Sequence, residues 1–270
     1  MNNMNIDENV LKAMAFAQSS NTYSVPTMLV DLPSRGVLYP EGHPLKDKES
    51  VEIRFMTTKE EDILLNQNYI QNGVVLDKMI ESVLVDKKIR VEEILNCDRS
   101  AIQIACRANA YGEIFAFSYS CSSCETKNDS SINLIELKHY EVDFDKIKRE
   151  GGIFIELPIT KALIKAKILS GKDDQEIQKR IKQKQKHNLP EETLIERYRQ
   201  IIVSINGNED PIYITNFIKN MPLRDSKQFM KEFANFLPGV DFTYECECSK
   251  CGTINKGGVP VGLGFFYPNE

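Results

Sequence analysis

The sequence predicts an α+β fold: a mostly helical body carrying a split four-cysteine zinc ribbon that is interrupted by a large α/β-containing insertion. Three observations predict it. Two C-x-x-C pairs, Cys121/Cys124 and Cys248/Cys251, lie far apart, each directly after an alternating apolar run, Ile114–Tyr119 and Phe242–Cys246. Such alternation marks a half-buried strand, here running into a tight turn. Helical apolar periodicity dominates the stretch before the first pair. Residues 125–247, between the pairs, carry strand and helix patterns of their own, as a segment of that length inside a compact domain must.

Taken in order, Asp7 is a candidate cap for a short amphipathic helix over residues 7–18, with Val10, Leu11, Met14 and Ala17 on one face. Residues 23–48 turn Pro- and Gly-rich and read as extended, because a residue before proline avoids the α region and Gly36 permits positive φ. Val51, Ile53 and Phe55 alternate as a strand. Thr57 and Thr58 with Glu60 and Glu61 supply two overlapping capping boxes for a helix that Gly73 ends. A second helix spans residues 74–85, and a third starts at Asp98 with Ile102, Ala105 and Cys106 on one face.

Beyond the first cysteine pair, residues 153–157 and 163–168 read as a strand pair joined at Pro158. Asp173 with Glu176 is expected to cap a helix running to His187. Pro190 is expected at the first position of the next, whose stripe is Leu194, Tyr198, Ile201, Ile202 and Ile205. After Pro211 and Pro222, Asp225 caps a helix burying Phe229, Met230, Phe233, Phe236 and Leu237, which Pro238-Gly239 stops. The predicted organisation is residues 1–110, an extended arm and helical region; 111–128, the first ribbon half; 129–239, the mixed insertion; and 240–270, the second ribbon half with an aromatic tail.

The chain has 270 residues, 41% hydrophobic and 27% charged, enough to bury a core without staples. A net charge of −5 argues against a dedicated nucleic-acid binder, since phosphate affinity comes from clustered Lys and Arg. The odd count of seven Cys, two of them (Cys97 and Cys106) in helical stretches, fits a reducing compartment with metal ligation better than a disulfide framework. No basic segment precedes an apolar leader and no apolar run approaches bilayer-spanning length, so the expectation is a cytoplasmic product with no membrane partner.

Four thiolates from two strand-turn units suit one tetrahedral ion, most simply a structural Zn²⁺ held by Cys121, Cys124, Cys248 and Cys251. Cys246 forms a C-x-C with Cys248 and is the alternative ligand; aligning the two lead-in strands places it opposite Tyr119, two residues before the turn. A closed site of this kind has no open coordination position, and no catalytic residue is assigned. A redox dithiol is disfavoured because neither pair opens a helix in a βαβ pattern. The basic run Lys179–His187 reads either as a solvated helix face or as a docking surface for an acidic partner or nucleic acid.

Several of these residues together resemble the baseplate hub subunit and hub-assembly proteins of T-even-like contractile-tailed bacteriophages. They are the segment Asp31–Pro40, the strand running into Met56–Leu64, the helix start at Asp98-Arg99, Tyr111-Gly112, the split cysteine pairs, Pro238–Asp241 and the end at Val259–Pro268. The long basic stretch departs from that pattern. The resemblance implies a non-enzymatic role in building the central hub of the tail baseplate. Its partners would be other hub proteins, in the host cytoplasm during assembly and in the virion tail. The alternative is a zinc-ribbon nucleic-acid-binding regulator acting through Lys179–His187. The arm and the aromatic tail Phe265-Phe266-Tyr267 are either partner contacts or covers for the chain's own core.

Overall fold

The computed structural model describes residues 24–259 and 261–267; the helix expected over residues 7–18 lies outside them. The first described strand, β1 (Thr27–Asp31), pairs antiparallel with β2 (Ser50–Arg54). The segment between them is a tight double turn. Gly36 sits at φ +70°, with the backbone of Leu45 and Lys48 where a Cβ would go, so no other residue fits this corner. The Asp98 carboxylate, itself buried, accepts from the Ser34 N–H (2.9 Å), the Ser34 hydroxyl (2.6 Å) and the Tyr39 hydroxyl (2.8 Å). Leu32 and Tyr39 are thereby buried, so the arm covers the chain's own core.

Of the overlapping capping boxes, the structure uses Thr57 with Glu60 to start α1 (Thr58–Leu65). The helix expected to continue to Gly73 breaks at Asn66. There the backbone is extended and the side chain accepts from the Tyr69 N–H to cap α2 (Gln67–Asn72). Helix α3 (Val75–Val83) buries Met79, Ile80 and Val83, and α4 (Asn96–Tyr111) begins two residues before Asp98. Then comes the first cysteine hairpin, β3 (Ile114–Ser120) with β4 (Lys127–Asn133), followed by the short α5 (Phe144–Glu150), which the sequence reading did not assign although Asp143 caps its start and a left-handed Gly151 ends it.

The strands expected around Pro158 are β5 (Ile153–Glu156) and β6 (Leu163–Ala166), which pair antiparallel. Helix α6 (Gly171–Lys186) is capped by Ser170, with Asp173 returning a bond to the Ser170 N–H (2.9 Å); the expected cap is thus the third residue of the box. Pro190 precedes α7 (Thr193–Ile201) without joining it. The apolar stripe expected to continue this helix switches to a strand, β7 (Ile202–Ile205), which completes a three-stranded antiparallel sheet in the order β5-β6-β7. Four of its five residues from Ile201 onward are β-branched or β-favouring and all-apolar runs do not separate helix from strand. Pro211 occupies the first turn of α8 (Pro211–Asn220) behind an Asp210 cap, a helix the sequence reading did not assign.

Helix α9 (Leu223–Ala234) buries Phe229 and Phe233, but Asp225 does not cap it. Its buried carboxylate reaches across to accept from Ile159 N–H (2.7 Å) and Thr160 N–H (3.0 Å), fixing the β5–β6 turn. The second cysteine hairpin, β8 (Thr243–Glu247) with β9 (Ile254–Gly258), closes the described chain along with a turn of 3₁₀ helix, Leu263–Phe266.

The body is therefore not mostly helical: 41% of it is helix and 21% strand, the strands lying in several small antiparallel sheets. The expectation of a mostly helical body failed on the return strands. Lys-Asn-Asp-Ser-Ser-Ile-Asn in β4 and Ile-Asn-Lys-Gly-Gly in β9 have no apolar alternation, and register with their lead-in strands makes them β. One apolar core runs from Val30 through Ile53, Met79 and Ile102 to Ile155, Phe229 and Phe266.

Candidate metal centre

Each cysteine pair sits at the tip of a hairpin, and each hairpin has the same local chemistry. In the first, the Cys121 N–H donates to Thr126 O (2.9 Å) and the Glu125 N–H to Cys121 O (3.0 Å); in the second, Cys248 N–H donates to Thr253 O (2.9 Å) and Gly252 N–H to Cys248 O (3.0 Å). The residue after the second cysteine is left-handed in both, Glu125 at φ +59° and Gly252 at φ +71°, which closes the turn.

Aromatic side chains on the lead-in strands hold the hairpins face to face. Tyr244 packs between Phe117 (4.7 Å between centroids) and Tyr119 (5.5 Å), and the Tyr119 hydroxyl donates to Glu247 O at 3.1 Å. The row continues through Phe115 to Phe265 (4.7 Å), which also meets Phe242 and Phe266 edge-on. Arg107, buried beneath it, donates from Nε to Phe265 O (2.9 Å) and lies over the Tyr111 and Phe115 rings. Tyr267 donates its hydroxyl to Leu64 O (2.8 Å). Phe265 and Phe266 are buried, so these two tail residues, like Leu32 and Tyr39 of the arm, line the interior, while Tyr267 stays exposed.

This packing brings together four cysteines, Cys121, Cys124, Cys248 and Cys251, whose sulfurs all lie within 4.8 Å of one another. Across the hairpins, Cys121 Sγ is 3.6 Å from Cys251 Sγ and Cys124 Sγ is 3.7 Å from Cys248 Sγ. A tetrahedral ion with metal–sulfur bonds of about 2.3 Å has sulfur–sulfur edges of about 3.8 Å, so the donor set fits such an ion in number, type and size. The thiols are free rather than bridged. Cys121 is brought down to about 6 by the backbone N–H groups of Cys124 and Ser123, and Cys248 is lowered by those of Cys251 and Lys250.

The other three cysteines stand apart. Cys246 points to the Ser130 hydroxyl across the hairpins (3.0 Å) and is not among the clustered sulfurs. Cys97 and Cys106 are buried in α4, where desolvation pushes Cys97 well up and Cys106 to about 12, leaving both as inert core thiols.

Two residues of the site escaped the sequence reading. Asn128 and Asn255 are both buried, and each reaches into the opposite hairpin. Asn128 Oδ1 accepts from the Ser249 N–H (3.0 Å) and hydroxyl (2.8 Å), while its Nδ2 donates to Cys248 Sγ (3.5 Å) and Thr126 O (2.8 Å). Asn255 mirrors it, accepting from Ser122 N–H (2.8 Å) and hydroxyl (3.0 Å) and donating to Cys121 Sγ (3.6 Å) and Thr253 O (2.9 Å). The signal was present in the sequence as an eight-residue unit, C-S-x-C-x-T-x-N, at Cys121–Asn128 and again at Cys248–Asn255.

A family model described as T4 bacteriophage base plate protein matches residues 41–266, which include both hairpins and all four clustered cysteines. The chain belongs to that family. It is a phage baseplate structural protein, and its place is the virion tail, among other tail proteins. Among curated proteins and among solved structures none matches it. Of the segments that carry the sequence resemblance, the arm Asp31–Pro40 lies upstream of the matched region. Among the described residues no helix is long and apolar enough to cross a membrane.

The basic run of this baseplate protein lies on α6 and is partly spent inside the molecule. Lys184 pairs with Glu192 (2.6 Å) and with the buried Glu196 (2.7 Å), and Arg180 approaches Glu176 and Glu196. Ile177 and Ile181 are the buried side of that helix, and Lys179, Lys182 and Lys186 remain on its exposed side. This is the pattern of a solvated amphipathic helix.

Proposed function

We propose that this baseplate protein is a non-enzymatic subunit or assembly factor of the baseplate hub, fastened by one structural Zn²⁺ on Cys121, Cys124, Cys248 and Cys251. The observation that carries the metal is the cross-hairpin sulfur spacing, which matches a closed tetrahedral thiolate set. When bound, the ion would supply no reaction. It would cross-link two turns that the chain separates by residues 125–247, where loop-closure entropy is large. Each two-stranded hairpin is marginal by itself, and the metal would make the pair one body.

In this reading residues 111–128 and 240–270 form the ribbon halves, with residues 1–110 and the 129–239 insertion held on either side. Full occupancy of the metal by protein sulfur favours a structural over a catalytic role. The family match favours hub or tail proteins as partners, with assembly in the host cytoplasm. Leu32 and Tyr39 of the arm and Phe265 and Phe266 of the tail are spent on the chain's own core, so these four side chains do not meet a partner. Quantitative mass spectrometry of purified virions and of infected-cell lysate, with affinity capture of the tagged chain, tests the proposal. Co-purification with hub proteins is expected, and capture of only peripheral baseplate or sheath proteins would overturn the hub assignment. Presence in the particle distinguishes a subunit from an assembly factor.

A further inference from the structure

The two Asn side chains do more than fill space between the hairpins. The units Cys121–Asn128 and Cys248–Asn255 are related by a local pseudo-two-fold, and every hydrogen bond of the Asn128 side chain has its counterpart at Asn255 within a few tenths of an ångström. In each unit the Asn sits on the return strand, four residues past the second cysteine, yet its bonds hold the first cysteine and the following serine of the other unit. All four hydrogen-bonding positions of each amide are taken: two donors by a carbonyl and a sulfur, and the oxygen by an N–H and a hydroxyl.

We infer that Asn128 and Asn255 are reciprocal positioning residues of the metal centre, each setting the geometry and charge of the sulfur pair on the opposite hairpin. This rests on the four-cysteine reading above and extends it to which residues shape the site. Two physical effects make the role specific. Four thiolates around a divalent cation carry a net charge of about −2, and an N–H pointed at a buried sulfur offsets part of it. The bonds to Ser122 and Ser249 also fix each turn before any ion arrives, so the cysteines meet it pre-organised. Because each Asn grips the partner hairpin, loss of either one loosens both halves. The alternative, an Asn that merely caps its own turn, would use only the bond to Thr126 O or Thr253 O.

The test uses the full chain with Zn²⁺ as the probe, its affinity measured by competition with a chromophoric chelator, and with Co²⁺ substituted for absorption spectroscopy. Asn128→Asp and Asn255→Asp keep the shape and the acceptor oxygen but replace the N–H donor to sulfur with a second oxygen. Each is expected to weaken Zn²⁺ binding by about 10–100-fold, to a similar extent, and to shift the cobalt–thiolate bands. Affinity within about twofold of the parent chain and an unchanged cobalt spectrum in both variants would overturn the inference while leaving the four-cysteine site intact. A parent chain that takes up no Zn²⁺ would overturn the site and the inference together. Should an Asp variant fail to fold, Ser122→Ala and Ser249→Ala carry the test, because each removes only one hydroxyl bond to an Asn oxygen. A several-fold weakening in both is expected, and unchanged affinity in both would overturn the role.

Discussion

Glu60 is a place where acid should cut into the stability of the N-terminal part. Its carboxylate is buried and accepts from the Ser82 hydroxyl (2.6 Å), the Thr57 N–H and hydroxyl (both 2.9 Å) and the Arg54 guanidinium, so it joins β2, α1 and α3. Burial alone would raise its pKa, but the bonds from Arg54, Ser82 and Thr57 outweigh it and hold the carboxyl at about 2 against an ordinary 4.5. At about 1.4 kcal/mol per pH unit the ceiling is about 3 kcal/mol, and the 21% exposure of Arg54 screens it toward about 2 kcal/mol. The group is depressed in the folded state, so its contribution is full above pH 4.5 and is lost as pH falls toward 2. Glu60→Gln should therefore lower the urea midpoint at pH 7 by the equivalent of about 2 kcal/mol. The gap between the two chains should narrow progressively between about pH 4.5 and 3. Release in acid of a metal held by the cysteines would affect both chains alike, so the difference between them is the readout. A gap that is absent at pH 7, or that stays constant down to pH 3, would refute the reasoning.

Phe265→Ala should destabilise the chain by about 3–5 kcal/mol in denaturant unfolding, because the ring is buried among Phe115, Phe242 and Phe266. A loss below about 1 kcal/mol would mean the tail is peripheral. Cys124→Ser and Cys251→Ser should each abolish stoichiometric metal binding and lower the melting temperature. Cys246→Ser should retain the metal, since its sulfur faces Ser130; release of metal by that variant would move the ligand set.

What the sequence made legible was chemistry with a local cause. Thr57 and Glu60 identify a helix start, Pro158 identifies the β5–β6 turn, and the aromatic alternation before each C-x-x-C identifies β3 and β8, because each depends on neighbours in the chain. Illegible were the features whose cause is distant. Strands β4 and β9 are polar or Gly-rich and exist because a partner strand fixes them, and β7 looks like the end of α7 until β6 is beside it. Asp225 looks like a helix cap but serves a turn in another element. In the candidate site the four cysteines could be picked out by spacing. The roles of Asn128 and Asn255 depend on the two hairpins meeting, and the repeated C-S-x-C-x-T-x-N unit was their only trace in one dimension. The resemblance to hub proteins rested on scattered short segments, and the family match extends over residues 41–266.

The central claim is that a metal fastens the two hairpins into one body. The most direct measurement is elemental analysis of the purified chain together with thermal unfolding before and after a strong chelator. The account predicts one zinc per chain, and a melting transition that drops or disappears when the zinc is removed and returns when it is restored. A chain that carries no zinc and melts identically with and without chelator would contradict it.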